Sequence, residues 1–274
     1  MTQPRGPLVS APWLSDHLDE VVVVDVRAYF DGRSGHAAYE AGHIEGAVFC
    51  DLETDLSDPP SLPGGRHPLP SPGRFAAAMG RLGIGDNSSV VVYDDVSDMV
   101  AGRLWWMLDS LGLPVAVLDG GLQAWDAPLA TGTPVRDVAT FTIRPWPEQR
   151  YATADQVMER NPTTVLIDAR SGERYAGGAH ALDPRAGHIP GAVSAEWVGN
   201  IGDGGRFRPT AELADRYGEL GIDGTTELIA YCGSGVSACH DLLALRLLGN
   251  ISARLYVGSW SEWGADPGRP AEPA

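Results

Sequence analysis

The chain has 274 residues, of which 43% are hydrophobic and 20% charged, and this length and composition predict one large or two ordinary folded domains rather than a disordered or fibrous protein. Its 36 acidic and 20 basic residues give a formal net charge of −16, which disfavours non-specific binding to nucleic acid or to an anionic membrane. An anionic substrate would need arginines placed locally at its site.

The chain contains an odd number of cysteines, Cys50, Cys232 and Cys239, which fits free thiols in a reducing compartment better than a disulfide framework. The N-terminal sequence lacks the basic and apolar regions of a secretion signal, and no apolar run is long enough to span a bilayer. We therefore expect a cytoplasmic protein with no membrane partner and no nucleic-acid partner.

Four sequence blocks recur in the same order at nearly one spacing, which indicates two copies of one domain. The paired blocks are VVVVDVR (21–27) with TVLIDAR (164–170), AGHIEGAV (41–48) with AGHIPGAV (186–193), VVVYDD (90–95) with LIAYCG (228–233), and LDGGLQAW (118–125) with YVGSWSEW (256–263). We expect an N-terminal domain over residues 1–130, a proline-containing linker over 131–150 and a C-terminal domain over 151–274.

Short apolar runs alternate with helical patterns in both copies. In chain order the predicted strands are 21–26, 90–93, 115–118, 165–167, 228–231 and 255–257. Ser71 and Pro72 predict the start of a helix that ends near Gly83, and Thr153 with Gln156 predicts a capping box. Continuous apolar strands alternating with helices are typical of α/β domains with a central parallel sheet and helices on both faces.

The largest difference between the copies follows the second predicted strand of the second copy, where Cys232 begins the loop CGSGVS (232–237) before an apolar helix. Two glycines allow the backbone to turn around the sulfur, and the N–H groups at a helix start favour a thiolate. A lone cysteine is more often a small buried apolar residue. The loop's position at the carboxyl end of a parallel strand instead favours a nucleophile. Asp94 occupies this position in the first copy and cannot perform the same chemistry.

These motifs resemble those of the two-domain rhodanese-type sulfurtransferases. The resemblance rests on the tandem repeat, GHIPGA (187–192), the Cys232 loop and the sequence WSEW (260–263). It implies two tandem rhodanese-like domains, an inactive N-terminal one and a catalytic C-terminal one, and a persulfide formed on Cys232 without a metal or an organic cofactor. The backbone of Gly233, Gly235, Val236 and Ser237 would hold the negative charge of the sulfur.

The resemblance also suggests the sulfur donor. Neutral loops of this type are similar to those of 3-mercaptopyruvate sulfurtransferases, in which two arginines bind the substrate carboxylate. The matching positions here are Arg174 and Arg185, although the spacing between them is slightly longer than the usual pattern. A guanidinium group suits this task because its planar fork can donate two hydrogen bonds to one carboxylate.

Ser234 could polarise the donor or carry its proton. By resemblance, His67 and an acidic residue of the N-terminal copy complete this relay across a domain interface. Glu53 matches the acidic position, where the family has aspartate, and Asp51 is a neighbouring rival. Residues present in both copies, such as His43 and His188, are expected to have structural roles instead.

Three alternatives remain at this stage. The same cysteine could use thiosulfate as its donor, or the chain could be a non-catalytic rhodanese-like binding module. A cysteine-dependent phosphatase is disfavoured because the sixth residue after Cys232 is Ala238, and the nearest downstream arginine is Arg246.

The expected partners of the enzyme are a small-molecule sulfur donor and an acceptor that is thioredoxin, a small thiol or cyanide. We expect a monomer.

Overall fold

A computed structural model describes residues 3–134 and 136–273, which form two compact units. The first unit comprises the chain up to Asp58 together with Pro70–Trp146 and Asp203–Phe207. The second comprises Pro59–Leu69, Pro147–Gly202 and the chain from Arg208 onward. Arg66 and His67 therefore belong to the same unit as the Cys232 loop.

The first unit contains a parallel five-stranded sheet. Its elements are β1 (Leu8–Val9), α1 (Ala11–Asp16), β2 (Val22–Asp25), α2 (Gly35–Ala41), β3 (Val48–Phe49), α3 (Pro72–Arg81), β4 (Val90–Tyr93), α4 (Ala101–Ser110), β5 (Val115–Leu118) and a 3₁₀ turn over Gly121–Ala124. The strand order is β1-β5-β4-β2-β3, which places β4 at the centre. Every strand pair is parallel.

The second unit repeats this arrangement. Its elements are β6 (Tyr151–Ala152), α5 (Ala154–Met158), β7 (Val165–Asp168), α6 (Gly172–Tyr175), β8 (Ala192–Ser194), α7 (Thr210–Glu219), β9 (Leu228–Tyr231), α8 (Ala238–Leu247), β10 (Arg254–Tyr256) and α9 (Ser259–Trp263), with 3₁₀ turns over Glu148–Arg150 and Trp197–Asn200. The order is β6-β10-β9-β7-β8, again parallel throughout, with β9 at the centre.

Burial of the central strands on both faces explains their apolar sequences. In β2, Val23 packs in one core cluster with Leu14 of α1 and Val91 of β4. The alternate residues Val22 and Val24 point to the opposite face and are also buried. A sheet covered on both faces needs continuous apolar strands, so the predicted α/β fold class and the parallel sheets are confirmed.

The predicted strands and helix starts agree closely with the structure. Three of the six strands have the predicted bounds, and the others differ by one residue at one or both ends. Pro72 begins α3, although Ser71 makes no side-chain capping hydrogen bond. Thr153 and Gln156 form the predicted capping box at α5.

Each copy contains the same buried ion pair at the end of a strand. Arg27 binds Asp25 at 2.7 Å and also donates to the carbonyl of Gly42. Arg170 binds Asp168 at 2.7 Å and donates to the carbonyl of Gly187. Both pairs tie a strand end to the loop that precedes the next strand, which is a structural role, as expected for residues present in both copies.

The repeated histidines also have structural contacts. His43 Nδ1 lies 2.9 Å from the carbonyl oxygen of Tyr39, and His188 Nδ1 lies 2.9 Å from that of Tyr175. Each imidazole stacks on the same tyrosine that supplies the carbonyl.

Over residues 3–134 and 136–273, no helix combines the length and apolar character needed to cross a bilayer.

Candidate active site

The Cys232 loop connects β9, the central strand of the second sheet, to the start of α8. This is the edge at which open parallel sheets bind ligands. Gly235 has a φ of +74°, a backbone conformation that a residue with a side chain adopts only at a cost. The glycine therefore allows the turn that brings the loop backbone back toward the sulfur.

The Cys232 sulfur lies close to the loop's own backbone. The N–H of Gly235 donates to Sγ at 3.2 Å, and the side chain of Cys232 is almost fully buried, with 2% exposed. Ser259 Oγ accepts the N–H of Cys232 at 3.1 Å. The carbonyl of Cys232 accepts the N–H of Trp260 at 2.9 Å, and that of Gly233 accepts the N–H of Ser261 at 2.8 Å. The first residues of the loop are thus held by the start of α9.

The other two cysteines have packing environments. Cys239 lies on α8, is fully buried and donates from Sγ to the carbonyl of Gly235 at 3.4 Å. Cys50 is fully buried in the first unit, where burial, followed by the nearby charges of Asp55 and Asp51, raises the pKa of its thiol well above the ordinary value. Neither environment favours a nucleophile.

Ser234 contacts two side chains from the segment 59–69. His67 Nδ1 lies 2.8 Å from Ser234 Oγ, and Arg66 Nη2 donates to the same oxygen at 3.3 Å. Both His67 and Ser234 are buried. Because Arg66 donates to Ser234 Oγ, the hydroxyl hydrogen can be donated to a neutral imidazole at Nδ1. The structure therefore brings Ser234 and His67 together next to the cysteine.

The position of His67 is fixed by contacts between segment 59–69 and α9. Ser61 and Gly65 exchange backbone hydrogen bonds, which closes a tight turn. The N–H of Arg66 donates to Ser261 Oγ at 2.9 Å. A β-carbon at Gly65 would lie 2.5 Å from the carbonyl oxygen of Gly258, so only glycine allows this close approach.

The predicted acidic member of the relay belongs to the first unit. The N–H of Glu53 donates to Asp51 Oδ1 at 2.9 Å. The same Asp51 oxygen also accepts the N–H and the hydroxyl of Thr54. Asp51 is thus engaged in its own turn, which favours Glu53 over Asp51 as the candidate acid, and the role of Glu53 stays a prediction.

Arg174 lies on α6 and forms a forked ion pair with Asp183. Its Nε and Nη2 donate to the two oxygens of Asp183 at 2.8 and 2.5 Å. Arg170 also approaches Asp183, at 3.3 Å. Burial alone would raise the pKa of Asp183, but the hydrogen bond and charge of Arg174, assisted by Arg170, outweigh it and hold that pKa below the ordinary value. Arg174 is therefore held in a fixed orientation.

Two guanidinium groups meet above Gly233. A β-carbon at this position would lie 2.9 Å from Arg174 Nη2 and 3.3 Å from Arg66 Nη2. A side chain at residue 233 would push these groups away, so glycine is required here for space rather than for its φ angle. The structure thus brings Arg174 to the Cys232 loop, as the sequence predicts, together with a second arginine.

The guanidinium of Arg185 has different neighbours. Its Nη2 donates to the carbonyl of Arg269 at 2.6 Å and to that of Trp263 at 3.5 Å. Its Cζ lies 5.8 Å from the centre of the Trp260 ring. These contacts tie the segment before GHIPGA to the C-terminal segment, and the contacts described for Arg185 do not bring it to the Cys232 loop.

The remaining predicted residues belong to the loop backbone. Val236 is buried, and its carbonyl accepts the N–H of Cys239. Ser237 precedes α8, but its side chain makes no capping hydrogen bond there. Its carbonyl accepts the N–H of His240 at 3.1 Å. Both residues help to join the loop to the first turn of the helix.

In the first copy, Asp94 fills the position of the cysteine. Its Oδ1 accepts the N–H groups of Val96 and Asp98, each at 2.8 Å, and its Oδ2 accepts those of Val100 and Ala101 at 2.7 and 2.9 Å. The side chain is fully buried. Burial raises the pKa of Asp94 to about 6, against the opposing effect of the four N–H groups.

Sequence reasoning missed three residues of this site: Arg66, Asp183 and Ser259. Arg66 directly precedes His67 in RHPLP, and Asp183 stands two residues before Arg185 in the segment DPR before GHIPGA. Ser259 is part of the repeated block that ends in WSEW, where the first copy has Gly121. Comparing the two copies at this position, serine against glycine, could have identified Ser259 as a candidate site residue.

Comparison with known proteins places the chain in a family. The profile of the rhodanese-like domain matches residues 10–128 and 152–266. A Pseudomonas aeruginosa protein named "Probable 3-mercaptopyruvate sulfurtransferase" is 43% identical, over 96% of each chain. SseB of Mycobacterium tuberculosis, which is named for thiosulfate sulfurtransferase activity, is 40% identical over 98% of each chain.

A solved structure gives the same assignment. The crystal structure of SseA from Escherichia coli, described as a 3-mercaptopyruvate sulfotransferase with the rhodanese fold, matches with a TM-score of 0.83 and 35% identity. The match covers 94% of this chain and all of SseA. The chain belongs to the rhodanese-like family, as a sulfurtransferase with two such domains in tandem.

Proposed function

We propose that this protein transfers sulfane sulfur from 3-mercaptopyruvate to a thiol or to cyanide through a persulfide on Cys232. The observation that carries the proposal is the environment of Cys232, whose sulfur accepts the N–H of Gly235 while two guanidinium groups stand above Gly233. Backbone N–H groups and nearby positive charge favour the thiolate form of the cysteine. Such a thiolate is suited to nucleophilic attack on an anionic substrate that supplies sulfur.

In the first half-reaction, the Cys232 thiolate attacks the sulfur of 3-mercaptopyruvate. A sulfur–sulfur bond forms, the carbon–sulfur bond of the donor breaks, and its electron pair leaves with the pyruvate enolate. The proton of the donor thiol moves to the enolate carbon, which gives pyruvate and the Cys232 persulfide anion. Ser234 and His67, 2.8 Å apart, are the groups we assign to this proton transfer.

In the second half-reaction, an acceptor attacks the outer sulfur of the persulfide. The bond between the two sulfurs breaks, and its electron pair returns to Cys232 as the thiolate. A thiolate acceptor leaves as a persulfide, and cyanide leaves as thiocyanate. The N–H groups of loop 232–237 stabilise the negative charge in both halves of the cycle, and the chemistry requires no metal or organic cofactor.

The choice of 3-mercaptopyruvate rests on the loop CGSGVS, which contains no basic side chain. The name of the Pseudomonas aeruginosa relative supports this donor. Thiosulfate is the second candidate, and the name of the Mycobacterium tuberculosis relative favours it. Thiosulfate carries two negative charges, and we expect its binding to gain more from basic residues within the loop itself.

The acceptor we propose is thioredoxin, a small thiol or cyanide. Three free cysteines support a reducing compartment, for which we propose the cytoplasm. We also propose that the protein acts as a monomer, with the first copy inactive and the catalytic residues of the second copy completed by His67 and Glu53. Sedimentation in the absence and presence of a donor measures the oligomeric state.

Steady-state kinetics with each donor tests the proposed function. We expect 3-mercaptopyruvate to give a higher kcat/KM than thiosulfate, with one pyruvate released for each sulfur transferred to cyanide. Cys232→Ser should remove activity with both donors, while Cys239→Ser, which changes a packing cysteine, serves as the matched control. A preference for thiosulfate would reject 3-mercaptopyruvate as donor, and full activity in Cys232→Ser would reject the nucleophile.

A further inference from the structure

Ser261, on α9, forms hydrogen bonds with three parts of the second unit. Its Oγ accepts the backbone N–H of Arg66 at 2.9 Å and donates to the carbonyl of Gly258 at 2.9 Å. Its own N–H donates to the carbonyl of Gly233 at 2.8 Å. One serine therefore joins the segment that contains Arg66 to the loop that contains the nucleophile.

The contact between Ser261 and Arg66 lies one residue before His67. Peptide groups are planar, so an N–H held at residue 66 restricts the path of the backbone to residue 67. His67 is buried, and its Nδ1 lies 2.8 Å from Ser234 Oγ. A displacement of about 1 Å would break a hydrogen bond of this length. Ser261 is therefore placed to fix the geometry between His67 and Ser234.

Segment 59–69 lies directly on the start of α9. A β-carbon at Gly65 would lie 2.5 Å from Ser261 Oγ and 2.5 Å from the carbonyl oxygen of Gly258. The bridge between Ser61 and Gly65 closes a turn within the segment and does not attach it to α9. Attachment to α9 therefore depends on contacts such as the hydrogen bond to Ser261.

The corresponding residue of the first copy, Gln123, makes a different contact. Its Nε2 donates to the carbonyl of Asp95 at 2.6 Å, and Asp95 corresponds to Gly233. The first copy thus uses a side chain to hold this loop carbonyl. The second copy uses the backbone N–H of Ser261, which leaves the hydroxyl available for the segment that carries His67. The serine is therefore not explained by support of the loop alone.

We propose that Ser261 is a positioning residue for the proton relay. Its hydroxyl holds the N–H of Arg66 and thereby keeps His67 Nδ1 at hydrogen-bond distance from Ser234 Oγ. Ser261 acts through His67 and not by contact with the reacting atoms. This inference rests on the proposed function, in which Ser234 and His67 move the proton of the donor thiol.

Two donors distinguish an effect on the relay from an effect on the loop. The thiol proton of 3-mercaptopyruvate must move, whereas thiosulfate gives up its outer sulfur and leaves as sulfite without any proton transfer. For Ser261→Ala we expect pyruvate release in a single turnover to slow by about 10-fold, a part of the usual effect of general acid–base catalysis. Sulfite release should be unchanged. Ser252→Ala, which removes an exposed hydroxyl before β10, is the control and should match the wild type with both donors.

A double variant tests whether Ser261 acts through His67. We expect His67→Gln to slow pyruvate release more than Ser261→Ala does. Adding Ser261→Ala to His67→Gln should change the rate by less than about 2-fold, because residues that act through one another are not additive. Equal losses with both donors, or a full further loss in the double variant, would mean that Ser261 acts on the Cys232 loop and would overturn the proposal. An unchanged rate in Ser261→Ala would also overturn it.

A change on the other side of the contact keeps the proposal testable if Ser261→Ala fails to fold. Gly65→Ala places a methyl group 2.5 Å from Ser261 Oγ, so the segment must move away from α9. We expect slower pyruvate release and unchanged sulfite release in this variant too. Equal losses with both donors, or no loss with either, would contradict the positioning role.

NMR of the imidazole rings tests the position of His67 without catalysis. Long-range proton–nitrogen spectra report the hydrogen bonding and tautomer of each ring, and His67→Gln assigns the signal of His67. We expect this signal to shift in Ser261→Ala and to stay in place in Ser252→Ala. An unshifted signal in Ser261→Ala would contradict the proposal. A shifted signal in an enzyme that takes no sulfur from 3-mercaptopyruvate would reject the proposed function and leave the positioning of His67 by Ser261 supported.

Discussion

The loops that follow the two central strands are 94–100 after β4 and 232–238 after β9. They share a backbone hydrogen bond at their first residue, but that residue has a different side chain in each loop. The carbonyl of Asp94 accepts the N–H of Leu122 at 2.8 Å, and the carbonyl of Cys232 accepts the N–H of Trp260 at 2.9 Å. In the first loop, a fixed carboxylate uses four N–H groups. In the second, a sulfur accepts one N–H, from Gly235.

We propose that the shared fold carries chemistry in the second copy and only structure in the first. The loop N–H groups stabilise a negative charge in both cases. A carboxylate that accepts these N–H groups at all times stabilises the loop, because buried N–H groups are costly without an acceptor. A cysteine leaves some of the loop N–H groups available to a reaction intermediate, which we propose is the persulfide.

Replacing the nucleophile with the residue of the first copy should have the largest effect. We expect Cys232→Asp to reduce sulfur transfer by at least about 1,000-fold, because a carboxylate cannot hold a transferable sulfur. The reciprocal variant, Asp94→Cys, should gain no second sulfur when treated with donor. Retained turnover in Cys232→Asp, measured alongside its thermal unfolding, would contradict the division of roles between the loops.

For the stability of the fold, removing the side chain of Asp94 should cost more than removing that of Cys232. Asp94→Ala leaves four buried N–H groups without their acceptor, so we expect a loss of about 3 to 5 kcal/mol in the free energy of unfolding at pH 5. Cys232→Ala should cost about 1 kcal/mol. Asp126→Ala, at an exposed site in the first unit, is the control for urea unfolding. Similar losses for Asp94→Ala and Cys232→Ala would remove the distinction.

The stability of the first loop should depend on pH. Because burial raises the pKa of Asp94 to about 6, the folded state holds its proton more tightly than the unfolded state does. Stability should therefore fall as the pH rises from about 4 through 6, by up to about 3 kcal/mol from this group. The difference between wild type and Asp94→Ala should shrink over the same range.

Other buried carboxyls affect that measurement. Burial also raises the pKa of Asp98, which faces Asp94, well above its ordinary value, and that of Asp241 to about 7. The wild type should therefore continue to lose stability up to about pH 7. Subtracting the Asp94→Ala curve gives the contribution of Asp94 together with its charge coupling to Asp98, and a difference that grows with pH would show that the sign is wrong.

The last prediction concerns Ser259, which accepts the N–H of Cys232 and whose counterpart in the first copy is Gly121. Ser259 has a φ of +52°, and Gly121 in the first copy has a φ of +58°. Ser259→Ala should lose about 1 to 2 kcal/mol, since it keeps the backbone strain and loses the acceptor for the Cys232 N–H. Ser259→Gly relieves the strain and should lose less. The reverse order in urea unfolding would contradict this interpretation.

The fold and the location of the nucleophile loop could be predicted because they depend on local signals. Apolar strand sequences and the repeated blocks are readable without tertiary structure, and they align Asp94 with Cys232. The position of Arg66 beside Ser234 could not be predicted, because segment 59–69 joins the unit of the Cys232 loop through long-range contacts such as that between Arg66 and Ser261. The left-handed conformation of Ser259 is likewise imposed by tertiary contacts rather than by its residue type.

The role of Arg185 stays a prediction, because sequence position alone does not give the contacts of its side chain. The stretch between Arg174 and Arg185 is slightly longer than the family's usual pattern, and the structure uses Asp183 within it to hold Arg174. The contacts of Arg185 with the carbonyls of Arg269 and Trp263 are a result that spacing alone does not reveal.

The central claim is that Cys232 alone carries the transferred sulfur. Mass spectrometry of the protein after one reaction with 3-mercaptopyruvate, followed by peptide mapping, tests it directly. We predict the added mass of one sulfur atom, located by fragmentation of the peptide on Cys232 and absent from Cys50 and Cys239. A protein that gains no sulfur from any donor, or gains it on another cysteine, would contradict the account.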